Sequence, residues 1–337
     1  MKHLASHRRM TSITGYLILA AFTFALFGAG LMEALNLSMI VAAVLGLWIV
    51  GLAWESIREW RFAYAADSEE QRFDFPTDTL IIAYVYLGAV VTYAISIDLG
   101  LGAVVASALV GIFGAAFLKP YSVPIYCGSF VGMASAGLLD WTGLMLAGVV
   151  AGFIFVFAKH VFNGFGGKLG TIAFAGCIVA AYATNSPLLS SPVPTWDAGA
   201  VLVAYCIFAA MITFILSVWF GHGPVMASGM IGLAGGLLLP AIHGPELGSL
   251  LAIGVFSASF AGMSGTNRFE KAYWMIPAGL LCALIIMYTS PYMGGAGGKL
   301  GTTAFGAVIG VRGLMVIGMY VQRALGLRDV EDPVPES

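Results

Sequence analysis

The sequence predicts an all-α polytopic membrane protein in which two N-terminal helices precede a five-plus-five inverted repeat. Hydrophobic residues make up 60% of the chain and charged residues only 9%, whereas soluble domains carry about 25% charged residues. Apolar runs long enough for a helix to cross about 30 Å of hydrocarbon recur along the chain. Several motifs also occur twice in the same order, as expected for a duplicated structural unit. These observations exclude a water-soluble globular protein.

We predict twelve transmembrane helices from the apolar runs, and they divide the chain into five regions. The predicted spans are 13–32, 38–54, 80–97, 101–118, 124–139, 142–160, 168–186, 198–220, 224–240, 248–265, 273–289 and 300–321. The first run is long and lacks a convincing cleavage site, so we interpret it as a helix and not as a signal peptide. The regions are an N-terminal helical hairpin (1–54), a cytoplasmic polar linker (55–79), a first five-helix repeat (80–190), a second, inverted repeat (198–322) and a cytoplasmic tail (323–337).

Three motifs carry the duplication. The string GGKLGT at 166–171 recurs 131 residues later at 297–302. SFVGM at 129–133 recurs 130 residues later as SFAGM, and Ala106-Ser107 recurs 121 residues later as Ala227-Ser228. The GGKLGT and SFVGM motifs keep almost one register, whereas the Ala-Ser motif is offset by about nine residues less, so we infer that about nine residues were inserted in the second copy near His243.

The distribution of basic residues predicts the orientation of the chain. With twelve crossings and a cytoplasmic N-terminus, nearly all Lys and Arg residues fall on the cytoplasmic side, as the positive-inside rule requires. Lys299 falls outside and Arg312 falls within a span. We therefore expect a multi-pass protein of the inner (cytoplasmic) membrane with both termini in the cytoplasm.

The number of crossings in each copy predicts how the copies are related. Five crossings are an odd number, so the copies run in opposite directions, with Lys168 inside and Lys299 outside. An alternative remains because the third segment of each copy is short and rich in small residues. If that segment is re-entrant, the repeats are parallel and Lys159 and Lys168 lie outside.

The GGKLGT motifs predict a binding site for an anion or a polar solute. Gly167 and Gly298 permit unusual backbone conformations, and we expect helices to open at Thr171 and Thr302. Free N–H groups, the positive end of a helix dipole and a lysine would then be gathered at Lys168 and at Lys299. The motif lacks the spacing of a nucleotide-binding P-loop. The alternative interpretation is a tight interfacial turn with a snorkelling lysine.

Three further residues are candidates for the lining of a solute path. Ser129 and Ser259 lie at equivalent positions in the two copies, beside glycines that also favour close helix packing. Arg312 is the charge placed well inside a predicted span, which makes it a candidate gate or counter-charge unless it snorkels to the inner surface. No Asp or Glu falls in the centre of a predicted span, which weakens models of proton- or sodium-coupled transport.

Enzyme, metal and cofactor signatures are absent from the sequence. Gly262-Met263-Ser264-Gly265 has the form of an intramembrane serine protease nucleophile, but no histidine follows it to act as base. The four cysteines lie in apolar runs without metal-ligand spacing, and His160, His222 and His243 lie at predicted span ends. We expect no enzymatic activity, cofactor, metal or nucleic acid.

The predicted function is a channel or transporter that moves a small anion or a small neutral polar molecule between the inverted repeats. The arrangement resembles, in architecture only, the urea-transporter type of five-plus-five protein. Abundant small residues make a homo-oligomer in the lipid bilayer plausible. The alternative is a membrane-embedded assembly subunit that docks partners through faces such as Gly148/Gly152 and Gly306/Gly310. An intramembrane enzyme acting on an apolar substrate is a third, weaker alternative.

Overall fold

The computed structural model describes residues 2–65 and 73–326, and within these ranges the chain forms twelve α-helices. They are α1 (Lys2–Leu37), α2 (Met39–Ala65), α3 (Phe75–Tyr93), α4 (Ala103–Phe117), α5 (Ser122–Val131), α6 (Trp141–Ala158), α7 (Lys168–Ala183), α8 (Trp196–Phe214), α9 (Pro224–His243), α10 (Pro245–Gly262), α11 (Met275–Tyr288) and α12 (Lys299–Ala324). Their apolar side chains meet in one continuous core. The predicted polar linker begins as helix, because α2 continues through Ala65. The tail from 327 onward lies outside the described residues.

Eight of the described helical segments are long and apolar enough to cross a membrane. Three more, in α4, α7 and α11, are apolar but shorter. Helix α5 has 10 residues and therefore rises only about 15 Å, half the thickness of the hydrocarbon layer. The described part of the chain is thus all-helical, as predicted, and its long apolar helices indicate a membrane-embedded protein, while the twelve crossings and the inverted repeat stay predictions.

Helix starts follow local sequence signals. Pro76, Pro224 and Pro245 lie in the first turns of their helices, where the missing N–H group costs nothing. The side chain of Asp140 accepts a hydrogen bond of 2.8 Å from the backbone N–H of Gly143 and so caps α6.

The two copies of the duplicated sequence share unusual backbone features. A π-helical turn ends α3 at Ala94–Asp98, and another ends α8 at Ile215–Trp219. Each is followed by a glycine with positive φ that leads into the next helix, 79° at Gly102 and 78° at Gly223. The duplication is therefore visible in local geometry as well as in residue identity.

Equivalent helices of the two copies pack in corresponding pairs. Helix α3 contacts α5 and α6, and α8 contacts α10 and α11. Helix α7 contacts α5 and α6 in the same way as α12 contacts α10 and α11. Helices α1 and α2 pack against α12 and extend the core beyond the repeats.

Two pairs of equivalent helices meet each other and run in opposite directions. Along α9, Gly229 lies against Ile112 of α4, whereas the later Gly236 lies against the earlier Val105. The same reversal of order is found between α7 and α12. The contacts between the copies are therefore reciprocal.

Candidate functional site

Glycine-rich turns lead into α7 and α12. The residues that precede the two helices, Gly167 and Gly298, have φ angles of 81° and 84°, a conformation that favours glycine. The helices begin at the lysines of the motifs. Thr171 and Thr302 lie within the first turn and not at the helix start, and both are fully buried.

The two GGKLGT motifs meet at a helix crossing. Gly170 packs on Gly301 so closely that a Cβ atom on either would overlap the Cα atom of the other. Gly167 lies against the backbone of Gly301, and Gly298 lies against the backbone of Gly170. Small residues permit such close helix approach. Two helix N-termini, each with partial positive charge, thus meet between the copies.

The turn that precedes each motif is hydrogen-bonded to a turn of the other copy. The backbone N–H of Ser135, after α5, donates to Gly295 O at 2.9 Å, and that of Gly265, after α10, donates to Gly164 O at 2.8 Å. Ser264, the residue of the protease-like string, accepts a hydrogen bond of 3.1 Å from the N–H of Gly166. Its hydroxyl therefore supports the first motif.

Neither motif lysine forms an ion pair within the described part of the chain. Lys168 Nζ donates to Asn163 Oδ1 at 2.9 Å. Lys299 Nζ donates to the carbonyl oxygens of Thr289 and Tyr292, both at 2.6 Å. Because these acceptors are neutral, neither lysine is paired with a carboxylate in the described part of the chain.

A cavity of about 380 Å³ lies beside the first motif. It is lined by residues of the turn from 163 to 169, including Lys168, and by Ile172. Phe130 of α5, Pro224 of α9 and Phe260 of α10 also line it. The cavity therefore joins the first copy's motif to helices from both copies.

A pair of equivalent phenylalanines, Phe130 and Phe260, lines this cavity. The ring centroids of Phe130 and Phe260 are 4.6 Å apart, and each ring is almost fully buried. Tyr126 and Phe256 pack beside them. The aromatic cluster fills the space between α5 and α10.

Ser129 and Ser259 precede these phenylalanines and are fully buried. Ser129 Oγ lies 2.8 Å from Ser107 Oγ, and Ser259 Oγ lies 2.8 Å from Ser228 Oγ. Tyr126 Oη joins the second pair at 3.0 Å from Ser228 Oγ. The serine hydroxyls are therefore hydrogen-bonded partners within the helix packing.

The segment between the copies covers the second motif. Leu189 and Gly294 exchange backbone hydrogen bonds of 3.1 and 2.8 Å, and Leu189 also packs beside Gly295. Tyr292, whose carbonyl holds Lys299, donates its hydroxyl to Glu33 Oε2 at 2.8 Å. This hydrogen bond raises the pKa of Tyr292. The two motifs thus differ, since the first borders a cavity and the second is covered.

A buried arginine fixes the turn that holds Lys168. Arg268 donates to both carboxylate oxygens of Glu59, at 2.6 and 3.1 Å, and its Nε donates to Asn163 O at 2.8 Å. Its guanidinium also lies 4.2 Å from the centre of the Phe165 ring. Arg268 therefore links α2 and the second copy to the first motif.

We expect Glu59→Ala to lower the free energy of unfolding by about 3 kcal/mol, because it removes both hydrogen bonds from the carboxylate to buried Arg268 and leaves only the longer contact of 3.9 Å with Glu55. Chemical denaturation in detergent measures the loss. The double variant Glu59→Met/Arg268→Met removes both charges and should recover most of the stability. Wild-type stability of the single variant would contradict this account.

The structure brings together most of the residues chosen from sequence, but not all of them. The glycines, lysines and threonines of the motifs cluster at the α7–α12 crossing, and the serines lie in the adjacent aromatic cluster. Arg312 lies eleven residues after Gly301 and lines a different cavity. Sequence reasoning missed Phe130 and Phe260, although both belong to the repeated SFVGM and SFAGM motifs.

Comparison with known proteins adds no further guide. The chain matches no protein-family model, no curated protein and no solved structure.

Proposed function

We propose that this protein is a channel or transporter that moves a small anion or a small neutral polar molecule across the membrane. The observation that carries the proposal is the cavity beside Lys168, which combines a helix N-terminus and a lysine that has no ion-pair partner among the described residues with a buried pair of phenylalanines. Free N–H groups and a lysine favour an oxygen-rich solute, and anionic solutes most. The Phe130–Phe260 pair would close the route beyond it.

The proposal includes twelve crossings and an inverted pair of five-helix repeats. Its support is that the equivalent helices α7 and α12 run antiparallel where they cross, and so do α4 and α9. A two-fold axis perpendicular to membrane-spanning helices lies in the membrane plane. The proposed axis passes near the Gly170–Gly301 contact and the Phe130–Phe260 pair.

Contacts between turns favour inversion over the parallel alternative. Inverted repeats place the segment after α7 and the segment before α12 on one membrane side, where Leu189 can pair with Gly294. Parallel repeats with a re-entrant third segment would place these residues on opposite sides. The hydrogen bond from Gly265 to Gly164 argues in the same way for the other side.

The assembly-subunit alternative loses its main sequence support. The helix surfaces at the glycines that were predicted to dock partners are covered by the chain's own helices. Gly148 lies against Tyr86, and Gly306 lies against Phe27. Likewise, Gly152 lies against Ile82, and Gly310 lies against Trp48. These faces are therefore not available to another protein.

Solute flux into proteoliposomes that contain only this protein tests the proposal. The panel comprises small anions and small neutral polar molecules, with and without a proton or sodium gradient. We expect flux above that of protein-free liposomes, and the effect of gradients separates a facilitator from a coupled carrier. If no solute showed flux above that of protein-free liposomes, the transport proposal would be contradicted and the assembly-subunit alternative would be favoured.

We expect Phe260→Ala to increase flux severalfold and to admit larger solutes, because it removes half of the proposed closure. Such a truncation also costs about 3–5 kcal/mol of stability, so Phe260→Leu serves as a milder variant with a smaller increase. Phe113→Ala, at an exposed position of α4, is the matched control. If Phe260→Ala transported solutes with the rate and selectivity of the wild-type protein, Phe260 would not line the route.

A further inference from the structure

A second cavity, of about 930 Å³, lies between α2, α12 and the segment that leads into α11. Its apolar walls include Trp48, Trp274 and Met315, and its polar groups include Arg312 and Gln322. It shares no lining residue with the cavity beside Lys168. It is therefore a distinct space in the same molecule.

Two buried hydrogen-bond donors of this cavity have no acceptor among the described residues. Arg312 is 9% exposed, and its Nε donates no hydrogen bond. The indole Nε1 of Trp48 is likewise buried without a partner. Unsatisfied buried donors are rare and costly, and both of these belong to side chains that line one cavity, which favours an acceptor near them.

The charge on Arg312 is not neutralised by the carboxylates around it. Glu59 is paired with Arg268. Glu55 lies 3.0 Å from Arg58, and it forms no ion pair with Arg312. Attraction from Glu55 reaches Arg312 only at longer range. Arg312 is thus a buried cation whose direct partner is missing from the described part of the chain.

The remaining charges at the cavity are exposed and cancel each other. Glu270 and Lys271 both face water at its rim, and Lys271 lies 5.9 Å from the centre of the Tyr273 ring. Water screens these exposed charges more than the charge of Arg312. The deep part of the cavity is therefore positive, and its chemistry favours an oxyanion.

The depth of Arg312 in the membrane matches the level of lipid phosphates. Eleven residues of helix separate it from Gly301, a rise of about 16 Å. If Gly301 lies at the midplane, as the proposed inverted repeat requires, Arg312 lies near the edge of the hydrocarbon layer, about 15 Å away. The positive-inside rule places this end of α12 at the cytoplasmic surface, where basic pockets between helices bind anionic headgroups.

We propose that the Arg312 cavity binds a phosphate group, carried either by an anionic phospholipid or by a soluble phosphate compound. The planar guanidinium offers paired donors that match phosphate oxygens, and the Trp48 indole offers another. Leu314, Met315 and Met319 provide an apolar wall beside the guanidinium, which suits the start of an acyl chain. The phosphate would supply the counter-charge that Arg312 lacks among the described residues.

Ligand binding to the full chain in detergent tests this proposal, with inorganic phosphate in one arm and short-chain phosphatidylglycerol in the other. We expect Arg312→Gln to weaken binding about tenfold or more, since it removes a charged donor pair. Trp48→Phe keeps a ring but loses the N–H donor, so we expect a severalfold loss and a folded protein. Arg61→Gln removes an exposed charge near the same surface and should bind as wild type does.

The outcomes assign or reject the site. Binding of phosphatidylglycerol alone assigns it to lipid, and binding of inorganic phosphate assigns it to a soluble anion. Wild-type protein that binds neither probe, or Arg312→Gln and Trp48→Phe variants that bind as wild type does, would overturn the proposal. The assay requires no transport, so its failure is separable from failure of the proposed route.

Discussion

The double variant Lys168→Met/Lys299→Met is expected to lose nearly all anion flux in proteoliposomes. Each lysine lies at a helix N-terminus of the α7–α12 crossing, with neutral hydrogen-bond acceptors and no carboxylate partner among the described residues. Hydrogen bonds to charged groups contribute about 1.5–3 kcal/mol, so each single variant should slow anion flux about tenfold or more. Flux of neutral solutes should fall less, since they gain less from the charge.

The control for this experiment is Lys119→Met, which removes an exposed lysine from the short turn before α5. Methionine keeps much of the apolar side-chain length in each case. Initial rates at several solute concentrations separate weaker binding from slower passage. If the double variant transported anions at the wild-type rate, neither lysine would line the route.

The variants Gly170→Ala and Gly301→Ala are expected to destabilise the protein by about 3 kcal/mol or more. A methyl group at either position would overlap the backbone of the facing helix, so α7 and α12 would have to separate. Ordinary overpacking in a core costs about 1–3 kcal/mol, and here no flexible side chain can move aside. Thermal unfolding in detergent measures the loss.

Gly28→Ala and Gly46→Ala are matched controls for these glycines. Both lie inside helices, and an added Cβ atom would meet no other atom within 4 Å. Alanine is favoured over glycine in a helix by about 1 kcal/mol, so these variants should be neutral or slightly stabilised. If Gly170→Ala behaved like the controls, the close crossing of the two motifs would be wrong.

Much of the fold follows from the sequence because apolar run length and glycine placement have direct structural consequences. Most predicted spans correspond to described helices, and the GGKLGT motifs lie where helices begin, but the predicted span 124–139 is helical only as far as Val131. Boundaries were less predictable, since α2 continues to Ala65 past the expected start of the polar linker. The composition predicts that this helix ends before Glu59, but the charge of Glu59 is paired with buried Arg268 and the helix continues.

The candidate site was only partly predictable. Repetition identified Gly170 and Gly301, but their mutual contact depends on how α7 and α12 cross, which no local pattern encodes. The serines were chosen as polar groups for a path, whereas their hydroxyls bond to Ser107 and Ser228 in the helix packing. The neighbouring phenylalanines line the cavity instead.

The membrane side of the segments that lie beside the two motifs tests the inverted repeat most directly. A membrane-impermeant thiol reagent is applied to intact cells that carry Asn163→Cys, before α7, or Ser190→Cys, beside the second motif. Both positions are exposed, and the four native cysteines are buried and should react slowly. The account predicts labelling of Ser190→Cys from outside and of Asn163→Cys only after the membrane is permeabilised. Labelling of both from one side, or the reverse pattern, would contradict a route between inverted copies.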